Sequence, residues 1–253
     1  MILLNSKSKR FPNGLGNDNG LLGKYIAFHN YNASINAEYE GNLDKTTEGR
    51  RPTSAYLPRF RNVHKQETDF LRGYASGFSA SRQIHQNSSG IGSSLKENLT
   101  NPGYGNWRVG AHMMGETIPK EESQVRLDSE KTDKYGIPQL RINIDYDEND
   151  RKMMKDYLEQ FTEMFEAAGF TNIKTNSNYR APGNDIHEMG GIRMGKDPKT
   201  SLLDKWNRLH NCKNVYVTDG ACMTTTATQN PSLMFMALAA RAANHAIDES
   251  KKG

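Results

Sequence analysis

Cysteine is scarce in this 253-residue chain: Cys212 and Cys222 are the two present, with no C-x-x-C pair and no Cys/His cluster. That excludes a disulfide framework, supplies no ligand set for a metal and leaves the redox compartment open. Long apolar runs are also lacking. MILLNSKSKR turns polar after a few residues, and the most apolar tract, SLMFMALAARAANHAI, is interrupted by Arg241, Asn244 and His245. Neither a signal peptide nor a membrane span is expected, and localisation is otherwise unknown. Lys and Arg total 33 against 29 Asp and Glu, a net +4 spread along the chain without a basic block, so no nucleic-acid partner is expected. With 35% hydrophobic residues and a mean hydropathy of −0.80, the chain is hydrophilic for a compact enzyme. Long polar loops, or apolar surface meant for a missing partner, should follow. A strand, G-x-G-x-x-G turn and helix are lacking too. Gly14, Gly16 and Gly20 in FPNGLGNDNG are spaced G-x-G-x-x-x-G, with no full strand before them and no strong helix after, which reads as a glycine-rich turn.

What is present indicates an α+β fold of mostly antiparallel sheet with packed helices. ILLNS reads as a short buried strand, 27–39 can hold another, and Tyr74 and Phe78 mark a strand within RGYASGFSAS. HQNSSGIGSS and NPGYGN read as polar loops. Leu140, Ile142, Ile144 and Tyr146 alternate with Arg141, Asn143 and Asp145, the pattern of a strand with one buried face. A strand at 124–128, joined to it through KYGIP, predicts antiparallel pairing. From about Asn149 to Ala168, Met154, Tyr157, Leu158, Phe161, Met164 and Phe165 form one helical stripe ending at Gly169. NVYVT reads as a strand, followed by Asn230-Pro231 and a helix apolar nearly all round, which should be buried. Pro231 suits the first helical position, where its missing N–H costs nothing.

One block resists a purely architectural reading. NDIHEMGGIRMG opens like the zinc motif H-E-x-x-H, but four residues after His187 stands Gly191, which has no ligand atom, and Gly190-Gly191 suits no helix interior. Metal binding is therefore not expected. A lone histidine of this kind most simply serves structure, as His29, His64, His85, His112, His210 and His245 are read to do.

Four blocks in order change that balance: HEMGGIRMG, then DP with LLDKWNRLH, then NVYVTDGACM, then TQNPSLMFMALAARAANHA. Across about Ile186 to Ile247 they resemble the C-terminal part of the glucose-methanol-choline (GMC) family of FAD-dependent oxidoreductases, and KYGIPQLRINIDYDEND and LLNSKSKRFPNG look like collinear upstream segments. The resemblance implies FAD as cofactor and an alcohol or sugar as substrate. It implies residues His187 and Asn230 as the catalytic pair, with His187 taking the hydroxyl proton and the Asn230 amide orienting the same oxygen. It also implies cofactor contacts at Asp219, Gly220 and Ala221, near the phosphate and ribityl region, and at Asn230, Pro231 and Ser232, near the pyrimidine edge. Asp219 alternatively caps a turn. The glycines beside His187 would let backbone approach the flat flavin ring.

Family members are considerably longer and carry the phosphate-binding unit in their N-terminal half. The resemblance therefore implies 1–30 as a partial FAD-domain segment, 31–204 as the substrate-binding domain and 205–253 as the C-terminal FAD-domain segment. The FAD domain would be a discontinuous α/β domain whose N-terminal half is missing or supplied as a separate chain. The function implied is oxidation of CH–OH groups by hydride transfer to flavin. The alternative is a non-catalytic remnant or interaction module that binds no flavin alone.

Overall fold

The computed structural model describes residues 1–45, 54–85, 88–100, 103–177 and 186–252. Asn184 and Asp185 of the histidine block, and Gln86, Asn87, Asn101 and Pro102 of the two polar loops, lie outside the described residues. In chain order the elements are α1 (Ile2–Asn5), β1 (His29–Asn30), β2 (Ser34–Tyr39), β3 (Ala55–Leu57), β4 (Tyr74–His85), α2 (Ser93–Thr100), β5 (Gly103–Glu116) and β6 (Gln124–Thr132). There follow β7 (Pro138–Asn143), α3 (Glu148–Ala167), β8 (Thr171–Asn176), β9 (Arg208–Leu209), β10 (Cys212–Tyr216), a 3-10 turn at Gly220–Cys222, and α4 (Ser232–Ser250). The architecture is α+β with antiparallel pairing, as the periodicities indicate.

Two compact units are present: residues 1–30, 116–150 and 180–253 form unit 1, and 31–115 with 151–179 form unit 2. In unit 2 an antiparallel sheet runs in the order β3-β4-β5-β2-β8. Met153, Met154, Tyr157, Phe161 and Phe165 recur every three or four residues on α3 and share one core with Ile35, Tyr74 and Met113 of the strands. Tyr157 and Phe161 stack at 4.1 Å between ring centroids. Polar groups at the edge of this core are paired: Asp156 accepts from Arg61 at 2.9 and 3.0 Å and from the Tyr74 hydroxyl at 2.5 Å.

Unit 1 has a smaller core of Leu22, Leu202, Leu203, Leu209, Cys222 and Leu238. It also contains the β6–β7 hairpin, closed by the 133–137 turn in which Asp133 and Ile137 are joined through backbone at 2.9 Å.

Several expectations are corrected. ILLNS is the short helix α1 with no buried residue. The Asn5 and Ser6 N–H groups donate to the carbonyls of Met1 and Ile2, four residues earlier, at 3.1 and 3.0 Å, which closes a helical turn; the Asn5 amide and Ser6 hydroxyl reach the same carbonyls. The polar tract after His85 contains α2, and GYGN begins β5, because cross-strand pairing with β4 overrides weak local propensity. In β7 the alternation is real but its apolar face is open, with Ile142 58% exposed; the hairpin forms a sheet of its own. The final helix is not buried all round. Leu238 and Ala242 are its buried residues, while Leu233 is 77% exposed and Met234 and Met236 are exposed as well. Pro231 precedes that helix as its cap.

Two expected outcomes follow from this packing. Phe161→Ala should destabilise the chain by about 3–5 kcal/mol, the span for emptying a buried aromatic site, measured by denaturant unfolding; a loss under about 1 kcal/mol would contradict the core described. The second concerns the start of α3. There the Asp150 N–H donates to Asp147 and the Asp147 N–H to Asp150, at 3.1 and 3.0 Å. Burial pushes the Asp150 carboxyl from its ordinary 3.8 up to about 7, with repulsion from Asp147 adding to it. The folded state thus keeps a proton that the unfolded chain loses, and the stability from this group is full below the ordinary value and lost as pH rises through about 7. Unfolding midpoints should fall across that window, and Asp150→Asn should flatten the slope.

Candidate active site

His187 owes its position to a backbone register. Ala27 and Met189 form an antiparallel bridge, exchanging N–H···O bonds of 2.9 and 2.8 Å. Two steps beyond this bridge the His29 N–H donates to the Ile186 carbonyl at 3.4 Å, so the pairing slips by one residue where His187 leaves the extended conformation, and the two histidines come side by side. Further along, the Gly23 N–H donates to the Gly191 carbonyl at 2.7 Å. On its other edge the same block meets the 3-10 turn: the Gly190 N–H donates to Gly220 at 3.1 Å and the Ile192 N–H to Ala221 at 3.0 Å. The HEMGGIRM block is therefore held between 23–29 and 220–222.

The side chains meet just beyond this bridge. His187 Nδ1 and His29 Nδ1 lie 3.0 Å apart, with the rings edge to face at 82° and 4.9 Å between centroids. His29 is fully buried, and its Nε2 lies 3.4 Å from the carbonyl oxygen of Thr226. Burial pushes His29 from 6.5 down to about 4. His187 is partly exposed and is also lowered by burial, opposed by the nearby Glu188 carboxylate. Its backbone stands at φ +66°, a left-handed conformation uncommon outside glycine that costs of order 1–3 kcal/mol and occurs often at functional sites.

Of the expected cofactor-contact residues, Asp219, Gly220 and Ala221 lie beside the histidine block through the backbone bonds above. Asp219 also caps the 3-10 turn, accepting the Ala221 N–H at 3.0 Å. Asn230 is exposed and, among the described residues, makes no hydrogen bond to His187. The link between the two segments is His29, through the loop that leads to Asn230. Pro231 caps α4 without a side-chain hydrogen bond, and Ser232, Leu233 and Met234 are exposed at its first turn. The first intrahelical bond there runs from Phe235 N–H to the Pro231 carbonyl at 3.0 Å. The N–H groups before it are those that a helix leaves without an internal acceptor.

The structure sets His29, for which the sequence suggests a structural role, against His187; the Ala27–Met189 pairing that brings it there has no counterpart in the local sequence. At Gly190 the close approach is to the chain's own backbone: a Cβ there would lie 2.1 Å from the Tyr25 carbonyl oxygen, at φ +87°. His210 bonds to Ser201 at 3.0 Å, and His245 stacks on Trp206. Among the described residues no group of three or more His, Cys, Asp or Glu could hold a metal, and no helix is long and apolar enough to cross a membrane.

Residues 119–239 match the family model described as GMC oxidoreductase. The 2-methyl-1,2-propanediol dehydrogenase of Mycolicibacterium austroafricanum is 29% identical over 96% of this chain and 45% of its own length. The fructose dehydrogenase large subunit of Gluconobacter japonicus is 27% identical over 100% of this chain and 46% of its own. The chain thus spans a little under half the length of these relatives. Among solved structures, formate oxidase of Aspergillus oryzae RIB40, in a study of FAD modification, superposes with a TM-score of 0.56 over 92% of this chain and 48% of that one, at 12% identity; that likeness is one of fold.

Because a Cβ at residue 190 would enter the Tyr25 carbonyl, Gly190→Ala should destabilise the chain by more than about 1 kcal/mol. Amide exchange at Ala27 and Met189 should accelerate. Gly20→Ala, also at positive φ (+71°) but with open space around it, is the control, and equal losses at the two positions would contradict a sterically tight ribbon.

Proposed function

The chain belongs to the GMC oxidoreductase family, of which it carries the C-terminal part, and from that premise we propose that it works within an FAD-dependent oxidoreductase acting on CH–OH groups of alcohols or sugars. The observation that carries the reading is the convergence of separate sequence blocks on His187: a partly exposed imidazole, neutral near pH 7, is held in a strained backbone conformation beside the Asp219–Ala221 turn.

The residues suit the cofactor. The uncapped start of α4 offers backbone N–H groups and the positive end of a helix dipole, with the exposed Asn230 amide next to it in sequence. Such a donor set fits the electron-rich pyrimidine edge of a flavin, and we assign Asn230, Pro231 and Ser232 to it. Asp219, Gly220 and Ala221 are assigned to the phosphate and ribityl region. The flavin-side segments, 1–30 and 205–253, both fall in unit 1; the residues between them serve the substrate side.

FAD, when bound, supplies the acceptor for the carbinol hydride. The chain's own part is acid-base and positional. Neutral His187 accepts the hydroxyl proton, for which an imidazole lowered from its ordinary value is ready at neutral pH. Asn230 holds the hydroxyl oxygen without competing for that proton. The relatives named as acting on a diol and on fructose support an alcohol or sugar as the substrate class.

In the flavin-loaded enzyme containing this chain, His187→Ala should slow anaerobic flavin reduction by about 10²- to 10⁴-fold, with flavin still bound. The loss should shrink at high pH, where solvent takes the proton. Asn230→Ala should cost less, with an effect nearly independent of pH. Unchanged stopped-flow rates in a folded His187 variant would refute the assignment.

A further inference from the structure

A neutral imidazole has one proton and two ring nitrogens, and only the bare nitrogen can act as a base. Which nitrogen of His187 is bare follows from its neighbours. The carbonyl oxygen of Thr226 can only accept, so His29, whose Nε2 lies 3.4 Å from it, places its proton on Nε2. The Ala227 carbonyl acts on His29 in the same sense. A fully buried imidazole pays a desolvation penalty for charge, so His29 stays neutral and its Nδ1 is left with a lone pair. The 3.0 Å contact between the two Nδ1 atoms then has one consistent assignment: His187 donates and His29 accepts.

We infer that His29 is a positioning residue that holds His187 in the tautomer protonated at Nδ1 and bare at Nε2, making Nε2 the atom that receives the substrate proton. This rests on reading His187 as the base. Once protonated, His187 carries N–H at both nitrogens. The Nδ1–H stays on His29, which resists taking the proton because it is buried, so the proton leaves through Nε2. Among the groups acting on the pair are Glu188, beside His187 on its own segment, and the Thr226 and Ala227 carbonyls on the loop facing His29. On that loop the Thr225 hydroxyl engages Glu116.

The role is separable from simple packing. His29→Phe fills the space but removes the acceptor, whereas His29→Asn places an amide oxygen two bonds from Cβ, where Nδ1 stood. Nitrogen NMR of isotope-labelled histidine in the chain itself should show His187 protonated at Nδ1 in the parent and in His29→Asn, and mixed or reversed in His29→Phe. In the flavin-loaded enzyme, His29→Phe should slow flavin reduction by about 10- to 100-fold, by analogy with the loss of a hydrogen-bond partner that orients a metal-bound histidine. It should also move the acid limb of the pH profile to lower pH, since the lost acceptor favoured imidazolium; His29→Asn should restore both. A parent His187 protonated at Nε2, or a folded His29→Phe variant with unchanged tautomer and unchanged acid limb, overturns the inference. If the tautomer behaves as described while His187→Ala leaves the reaction intact, the assignment of His187 as base fails and the hydrogen-bond assignment stands.

Discussion

The pairing of residues 23–29 with 187–191 is the constraint on which the site depends. These segments are far apart in the chain and neither is long enough to be a stable ribbon alone. Their bonds gain strength from company, because the 187–194 block is paired on both edges, to 23–29 on one and to 220–222 on the other. A block tied on both sides has little freedom to rotate. That rigidity allows a residue at φ +66° to persist, since the neighbours on either edge over-determine its backbone.

The electrostatic design at His187 is restrained. A carboxylate in the place of His29 would also accept the Nδ1 proton, but it would raise the imidazole's pKa and leave it charged at neutral pH. A buried neutral histidine orients without adding charge. Its burial performs two tasks at once, suppressing its own protonation and strengthening the hydrogen bond in a medium of low dielectric. The cost is a buried polar ring that must be satisfied at both nitrogens, which the Thr226 carbonyl and His187 Nδ1 accomplish.

The main aromatic core and the proposed site lie in different parts of the chain. The densest aromatic packing, Tyr74, Tyr157, Phe161 and Phe165 with Phe78, lies in unit 2, while the histidine pair and the proposed cofactor contacts lie in unit 1. Unit 1 combines a core of leucines with exposed apolar side chains at Leu140, Ile142, Leu233, Met234 and Met236. Its segments are joined by backbone bonds across non-consecutive stretches of chain, an arrangement in which register matters more than bulk burial.

Elements whose signal is local were legible in the sequence. The helix expected at 149–168 is α3 at Glu148–Ala167, because its apolar stripe repeats at the helical period, and the KYGIP turn joins an antiparallel hairpin because its strands are neighbours in the chain. The resemblance to the GMC family was legible because four blocks keep their order, and it is that order which singles out His187 as a candidate. Burial was read less well: the apolar faces of β7 and α4 carry the pattern of buried elements, yet periodicity reports a preference for cover and not the presence of a covering layer. ILLNS failed because five residues cannot distinguish a strand from a helical turn that its own Ser6 and Asn5 close. The partner of His187 was decided by tertiary structure alone. His29 sits 158 positions away in a segment with no periodic signature, and it meets His187 only because Ala27 pairs with Met189, a choice made by hydrogen bonding between distant strands that no local stretch of sequence encodes.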